Sequence, residues 1–372
     1  MKKFNIYYFH NLNLSFKSAQ TLQIIKDYLF LSRHGYQIYI YGEYANENDL
    51  NDILQYIQNS NIHLSPTKKS KLEKLKNKIS FLIKIYRDKN HKVVVTRHYK
   101  KIQELLFLKK FIHGIQILHE MHEESFPHLF KKNISKINIL RAFNQVDGLI
   151  FTNYSQEEFY KQEYQTSHHN TIVLPNGTEL NKFSNVTMKN NFVLTYVGQF
   201  NEWKNIELLF SALSLLDPKY TLKIAGGKND SKSDKYIDTL IKKYKIDRKR
   251  VHYLGFIKNN EIENILKESN VLLLPLGDNI QSKYLTSPMK LFEYMSTKVP
   301  VLAIDYPTVN MITSEDEIYL VQNSAKAFAK KLIYICEEGH SNQQKISKMN
   351  QSVKKYSYEM RSINYDNFIQ KL

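Results

Sequence analysis

Phe192-Val193-Leu194-Thr195-Tyr196-Val197-Gly198 is a short apolar run that closes on a glycine. Leu208, Leu209, Ala212, Leu215 and Leu216 follow it at helical spacing within Ile206–Leu216. An apolar run of that length fits a strand buried on both faces, as in a parallel sheet. The unit recurs downstream at Leu222–Ala225, Val251–Leu254, Val271–Pro275, Val301–Ile304 and Ile318–Val321. Upstream it recurs at Phe4–Phe9, Tyr36–Tyr41, Val93–Thr96, Ile115–Leu118, Gly148–Thr152 and Thr171–Leu174. Helical patterns lie between these runs; Ala19–Ser32, for example, carries Leu22, Ile25, Tyr28 and Leu29. Strands alternating with helices predict an α/β protein with parallel sheets covered on both faces. The series restarts near residue 190, after the turn signal Pro175-Asn176-Gly177 and the polar stretch Asn181–Asn191, which reads as a linker. We therefore expect two α/β domains, 1–187 and 188–354. A polar helical tail over about 355–372 has Tyr356, Met360, Ile363 and Phe368 as its apolar points.

With 372 residues, 42% apolar and 24% charged, the chain is neither disordered nor low in complexity, and 11 glycines and 8 prolines exclude a collagen-like repeat. Cys336 is the single cysteine, so an internal disulfide is excluded. No signal peptide is expected from the first residues, which lack a long apolar core, and no 18-residue apolar span is present. The net charge of +17 attracts anions. It is concentrated in Ser65–Lys92, where nine Lys and one Arg face one Asp and one Glu. Leu72, Leu75, Ile79, Leu82, Ile83 and Tyr86 recur there at helical spacing. Such a helix either packs on the sheet by its apolar face or lies on an anionic membrane surface. No zinc-finger, RNP-type or bZIP pattern points to nucleic acid.

Three places carry residues suited to chemistry. Gly198 ends a strand, and Gln199 to Asn205 lead into a helix with Lys204 as a point charge for a diphosphate. Gly226 and Gly227 end the next strand. Ser287-Pro288-Met289-Lys290-Leu291-Phe292-Glu293-Tyr294-Met295 reads as a capped helix start, with Ser287 as N-cap and Glu293 one face with Met289 and Lys290. A carboxylate there suits a ribose diol, and it equally suits an ordinary ion-paired helix position. Leu118-His119-Glu120-Met121-His122-Glu123 ends a strand; positions 119 and 122 would face opposite sides, which disfavours a shared metal. Ser155-x-x-Glu158 reads as a capping box.

Together these phrases resemble the retaining GT-B glycosyltransferases of glycosyltransferase family 4, also called glycosyl transferases group 1. The matching segments are Leu174-Pro175-Asn176-Gly177 with Phe183, Tyr196-Val197-Gly198 with Lys204, Leu222–Gly227, His252–Phe256, Val271–Pro275, Ser287–Met295 with Val299–Asp305, and Tyr356–Arg361. The resemblance covers nearly all of the second half. More loosely, Ser18-Ala19-Gln20-Thr21 and the Glu-x-His of Glu120 and His122 match the first. It implies a GT-B fold of two Rossmann-like domains, with parallel sheets facing across a cleft and the last helix crossing back onto the first domain. It implies His122, Glu293 and Lys204 as catalytic residues. Donor contacts would come from Gly198, Gln199, Lys204, Gly226, Phe256, Thr286, Ser287, Pro288, Lys290, Leu291 and Glu293. Acceptor or membrane contacts would come from Ser18, Lys68, Lys69, Lys71, Lys74 and Lys78.

The sequence departs from that family in three places. Gln199 stands where a basic residue is usual, Leu285 stands where the first of two glutamates is usual, and Phe16, Lys17 and Ser18 replace a glycine pair. The expected reaction is transfer of a sugar from a nucleotide-sugar co-substrate, with retention, to a glycan or lipid-linked acceptor in bacterial surface polysaccharide synthesis, such as capsule, lipopolysaccharide or glycolipid. No metal and no other cofactor is expected, and no nucleic-acid partner. The expected place is cytoplasmic, peripheral on the inner face of the plasma membrane. A nucleotide-sugar epimerase and a non-catalytic binder of anionic polymers are the alternative readings.

Overall fold

Phe4–Asn13 forms β1, an interior strand of a seven-stranded parallel sheet. The computed structural model describes residues 4–68, 70–130, 134–180, 192–227, 231–257, 261–337, 339 and 341–372. The expected linker 181–191, the boundary at 187/188, Phe183 and Lys69 lie outside the described residues.

By contacts the chain divides into two units, Met1–Gly177 with Tyr358–Leu372, and Thr178–Ser357. In the first, β1 is followed by α1 (Ala19–Ser32), β2 (Gln37–Tyr44), α2 (Glu47–Ile57), β3 (Ile62–Lys68), α3 (Lys71–Arg87), β4 (His91–Thr96), α4 (Tyr99–Lys109), β5 (Ile115–Glu120), α5 (Lys136–Phe143), β6 (Gly148–Phe151), α6 (Tyr154–Tyr164) and β7 (Thr171–Val173). Strand order is β3-β2-β1-β4-β5-β6-β7, all parallel. In the second unit come β8 (Phe192–Gly198), α7 (Ile206–Leu213), β9 (Tyr220–Gly226), α8 (Ser231–Lys243), β10 (Val251–Tyr253), α9 (Ile262–Lys267), β11 (Val271–Leu274), α10 (Met289–Met295), β12 (Val301–Ile304), α11 (Pro307–Asn310), β13 (Tyr319–Val321), α12 (Ala325–Glu337) and α13 (Asn342–Ser352). Its order is β10-β9-β8-β11-β12-β13, again parallel. Finally α14 (Tyr358–Lys371) belongs to the first unit.

Alternation along β1 shows how the first sheet is buried. Ile6 and Tyr8 join Ile38, Ile40, Val93 and Val95 under α1, α2 and α14. Tyr7 and Phe9 turn to the other face and meet Phe81 of α3, with ring centroids 5.8 and 5.9 Å away. Right-handed crossovers account for the two layers: connections running from β1 toward β3 cover one face, and those running back from β3 toward β7 cover the other.

Several elements differ from the sequence reading. Ile62–Lys68 is a strand that its Pro66 disguised; it sits at the sheet edge, where a missing N–H costs nothing. Ile206–Leu216 ends as a helix at Leu213, and Leu215 is exposed. α6 is capped by Asn153, whose Oδ1 accepts from the Ser155 N–H at 3.0 Å, rather than by a Ser155 box. α14 buries Tyr358, Arg361, Tyr365, Phe368 and Ile369, while Met360 and Ile363 stay exposed. The polar face was the informative one: Arg361 reaches Asp27 of α1, and Tyr358 Oη donates to Gln23 Oε1 at 3.0 Å.

Candidate functional site

In an open parallel sheet, ligands bind beyond the carboxyl ends of the strands where the strand order reverses. In the second unit that point lies between β8 and β11. The two strands pair only at Leu194↔Val271 and Thr195↔Leu272 and then part. Past the split, the Val197 N–H donates to Tyr294 Oη at 2.9 Å, which anchors α10 against the end of β8. Two loops are tied together there: Gly277 N–H and Ser282 Oγ both donate to the Trp203 carbonyl, at 2.9 and 2.8 Å. Thr308 Oγ1 holds Ser282 from α11 at 2.6 Å. The strands thus open a crevice, and the loops carrying Lys204 and Ser287 are fixed around it.

Lys204, Lys290 and Glu293 meet in this place. Lys290 Nζ donates to Glu293 Oε2 at 2.5 Å. The Lys204 ammonium lies 3.9 Å from the centroid of the Trp203 ring. Burial brings its pKa down to about 7; the neighbouring Lys290 charge adds to the effect and Glu293 partly offsets it. Below about pH 7, two cations and one carboxylate leave a net positive charge, largely withdrawn from water. That arrangement is short of an anion.

Gly226 has φ +128°, and a Cβ there would drive into the Gly198 carbonyl of the paired strand end. Its N–H donates to the Gly255 carbonyl at 2.7 Å, so the three loop starts are pinned backbone to backbone. Gly226→Ala is expected to destabilise the second unit by roughly 2–3 kcal/mol, from the unfavourable φ and the collision together, measured by denaturant unfolding. Gly198 has a packing reason too: a Cβ would sit 2.6 Å from the Tyr196 hydroxyl.

In the first unit the strand order reverses between β1 and β4. At the ends of β4 and β5, Arg97 Nη2 donates to Glu120 Oε1 at 2.7 Å, and His122 Nε2 lies 3.1 Å from the same oxygen. Burial alone would raise Glu120, but Arg97 and then His122 hold its carboxyl well below the usual range. His119 turns elsewhere, bonding Ser125 Oγ at 2.9 Å and stacking on Phe143; burial holds its pKa at about 3. The two rings thus bond different groups, although Ser125 Oγ also accepts from the His122 backbone N–H at 3.0 Å.

Residues 177–360 match the family model described as Glycosyl transferases group 1. The second unit carries a glycosyl transferases group 1 domain. A comparison with curated protein sequences finds no match. Among solved structures, HepE from Anabaena in complex with UDP is similar at TM-score 0.77 and 14% identity, over 99% of this chain and 100% of that one. Sucrose-phosphate synthase from Thermosynechococcus elongatus is similar at TM-score 0.77 and 16% identity, over 99% and 98%. The lipopolysaccharide outer core galactosyltransferase WaaB is similar at TM-score 0.70 and 16% identity, over 99% and 100%. The fold is that of GT-B glycosyltransferases, two Rossmann-like α/β units with parallel sheets.

Within the glycosyltransferase domain the expected donor residues have different fates. Gln199 is exposed, Phe256 is 40% exposed, and Thr286 and Ser287 are buried in the loop. Leu291 is a correction: its side chain is wholly buried in the hydrophobic core and has no surface for a ligand. Ser287 is another: Pro288 holds the N-cap position of α10, which starts at Met289. A hollow of about 480 Å³ beside the loops after β8 and β9 is lined by Gln199, Phe200, Asn205, Gly227, Ser233 and Tyr236. Lys204, Lys290 and Glu293 do not line it. Trp203 and Tyr294, which position Lys204 and α10, went unassigned in sequence reasoning, as did Arg97; no local spacing marks any of them.

The acceptor and membrane residues are less exposed in chemistry than their sequence suggested. Ser18 Oγ accepts from the Thr21 N–H at 3.3 Å as the N-cap of α1. Lys68 pairs with Glu47 at 3.3 Å, Lys74 with Glu43 at 2.7 Å, and Lys78 with Glu104 at 2.8 Å. Lys71 is exposed. Among the described residues, no helix is long and apolar enough to cross a membrane.

Proposed function

We propose that the chain transfers a sugar from a nucleotide-sugar donor, with retention of configuration as in glycosyltransferase family 4. The observation that carries this reading is the convergence of Lys204, Lys290 and Glu293 at the strand-order reversal of the second unit. The transition state separates charge between an oxocarbenium-like sugar and a departing diphosphate, and stabilising the diphosphate is the larger contribution. Lys204 and Lys290 supply positive charge for it. Glu293 takes the ribose hydroxyls, and Lys290 holds the carboxylate in position for them. The bound UDP in the similar HepE structure supports a nucleoside diphosphate as the leaving group. His122, oriented through Glu120, is assigned a hydroxyl of the transferred sugar. No metal is assigned to the reaction. The acceptor is assigned as a glycan or a lipid-linked glycan of a bacterial cell surface, met at the inner face of the plasma membrane.

The test is a panel of nucleotide sugars read by thermal shift and by release of nucleoside diphosphate. One donor is expected to raise the melting temperature in proportion to ln(1 + [L]/Kd) and to be turned over faster with acceptor than without. Donor turnover that ignores every acceptor would instead assign an epimerase. No stabilisation by any nucleotide sugar or diphosphate would remove the proposal.

A further inference from the structure

We infer that α3 is a docking surface for an anionic lipid bilayer, and that the contact is made by an outward apolar stripe rather than by the lysines of its inner face. The claim deepens the membrane assignment above but uses a different unit from the donor site. The helix packs on the sheet through Phe81 and Ile85, its two buried residues. Lys74, Asn77 and Lys78 share that inner side: the lysines pair with Glu43 and Glu104, and Asn77 Nδ2 donates to the Pro66 carbonyl at 3.1 Å. The opposite side carries Leu72, Leu75, Ile79, Ile83 and Tyr86, exposed by 66, 56, 48, 43 and 62%. At 3.6 residues per turn these five fall within about 80° of arc, so they form one strip along the helix. Lys71 borders it on one edge, and Lys76 and Arg87 on the other; all three are exposed.

This is an amphipathic helix mounted with its apolar stripe toward solvent. Monomeric proteins scatter single apolar residues over their surfaces, but a continuous strip marks an interaction site. Charge selects the occupant. Cations on both edges of an apolar strip match a bilayer interface, where leucine and isoleucine enter the acyl boundary and lysine and arginine reach anionic headgroups. A second copy of the chain fits poorly, because a two-fold contact brings like-charged edges near each other. The neighbouring α4, joined to α3 by the Lys78–Glu104 pair, adds exposed Phe107, and the turn after it adds exposed Phe111; their rings meet edge to face at 5.2 Å.

The experiment is co-sedimentation of the full chain with vesicles of phosphatidylcholine alone or with 30% phosphatidylglycerol. Binding is expected to be at least tenfold stronger with phosphatidylglycerol and to weaken as salt rises. Leu75→Asp with Ile79→Asp is expected to reduce it tenfold or more while the melting temperature and its shift by the best nucleotide ligand stay unchanged. Lys71→Glu with Lys76→Glu is expected to weaken binding and flatten its salt dependence; Lys74 and Lys78 are unsuitable because they hold the helix to its unit. Parent-like vesicle binding by the Leu75/Ile79 variant would overturn the inference. So would a concentration-dependent dimer, by light scattering, that this variant abolishes while the parent ignores both vesicles. Loss of nucleotide binding in the parent would sink the donor-site reading alone.

Discussion

Lys204→Met is expected to lower nucleoside diphosphate release by two to three orders of magnitude, with the chain still folding cooperatively. Removing one preorganised group that faces developing charge has that typical cost. Methionine keeps a stem of lysine's length and deletes the ammonium together with its contact on the Trp203 ring. The pH dependence makes the prediction specific to charge. The ammonium, with its pKa brought down to about 7, is mostly neutral above that pH in the free enzyme. A bound diphosphate favours the ammonium and draws the pKa back up. Binding at pH 8–9 should therefore take up a proton, and affinity should fall by up to tenfold per pH unit between 7 and 9. Below pH 7 the lysine is already charged and the dependence flattens. Calorimetry in buffers of different ionisation enthalpy measures the proton directly. No proton uptake by the parent, or the same uptake by Lys204→Met, would detach Lys204 from the diphosphate. The sign for folding is separate: between about pH 7 and 10 the unfolded chain holds a proton that the folded chain has released, so this group's contribution to stability rises with pH over that window.

Arg361→Ala is expected to destabilise the first unit by about 3–5 kcal/mol, the cost of leaving one member of a buried ion pair without its partner. Arg361 Nε donates to Asp27 Oδ1 at 2.8 Å, and Nη1 donates to the carbonyls of Leu174 and of Pro175, the latter at 2.7 Å. Both side chains of the pair are buried. Burial pushes Asp27 up, with Arg361 opposing it, so the substitution leaves a carboxylate held by the Gln23 amide and removes the Arg361 donor from two carbonyls. Arg361→Lys should recover only part of the loss, since one ammonium cannot serve three acceptors in a planar fork. In denaturant, the transition of the first unit should move to lower concentration and that of the second should stay. Equal movement of both would show that α14 stabilises the whole chain rather than the unit it packs on.

Much of the architecture is legible because period and punctuation are local properties. Runs such as Val271–Leu274 and Val301–Ile304 are apolar throughout, short and bounded by polar or turn residues, which favours a doubly covered strand. The Lys204 and Glu293 phrases stood out only through their resemblance to a family pattern; taken alone, each suits an ordinary surface or ion-paired helix position. β3 was missed because Pro66 and a run of lysines mask its pairing, which only its edge position permits. Leu291 was misread because a phrase names residues without saying which way each side chain points; one turn of α10 turns Leu291 into the core and Glu293 outward.

From its own order of residues, this chain determined two series of parallel strands, the glycine-ended loops and the excess of positive charge, because backbone periodicity and charge count need no distant partner. The i, i+3 spacing already put Lys290 beside Glu293; only the tertiary structure decided that Lys204 loses its water beside Trp203, and that α3 turns Lys74 and Lys78 inward and its leucines out. The physical reason is common to both. Desolvation and pairing depend on what lies opposite a side chain, and for Lys74 and Lys78 that is Glu43 and Glu104, which sit on other elements brought near by the crossovers of the sheet.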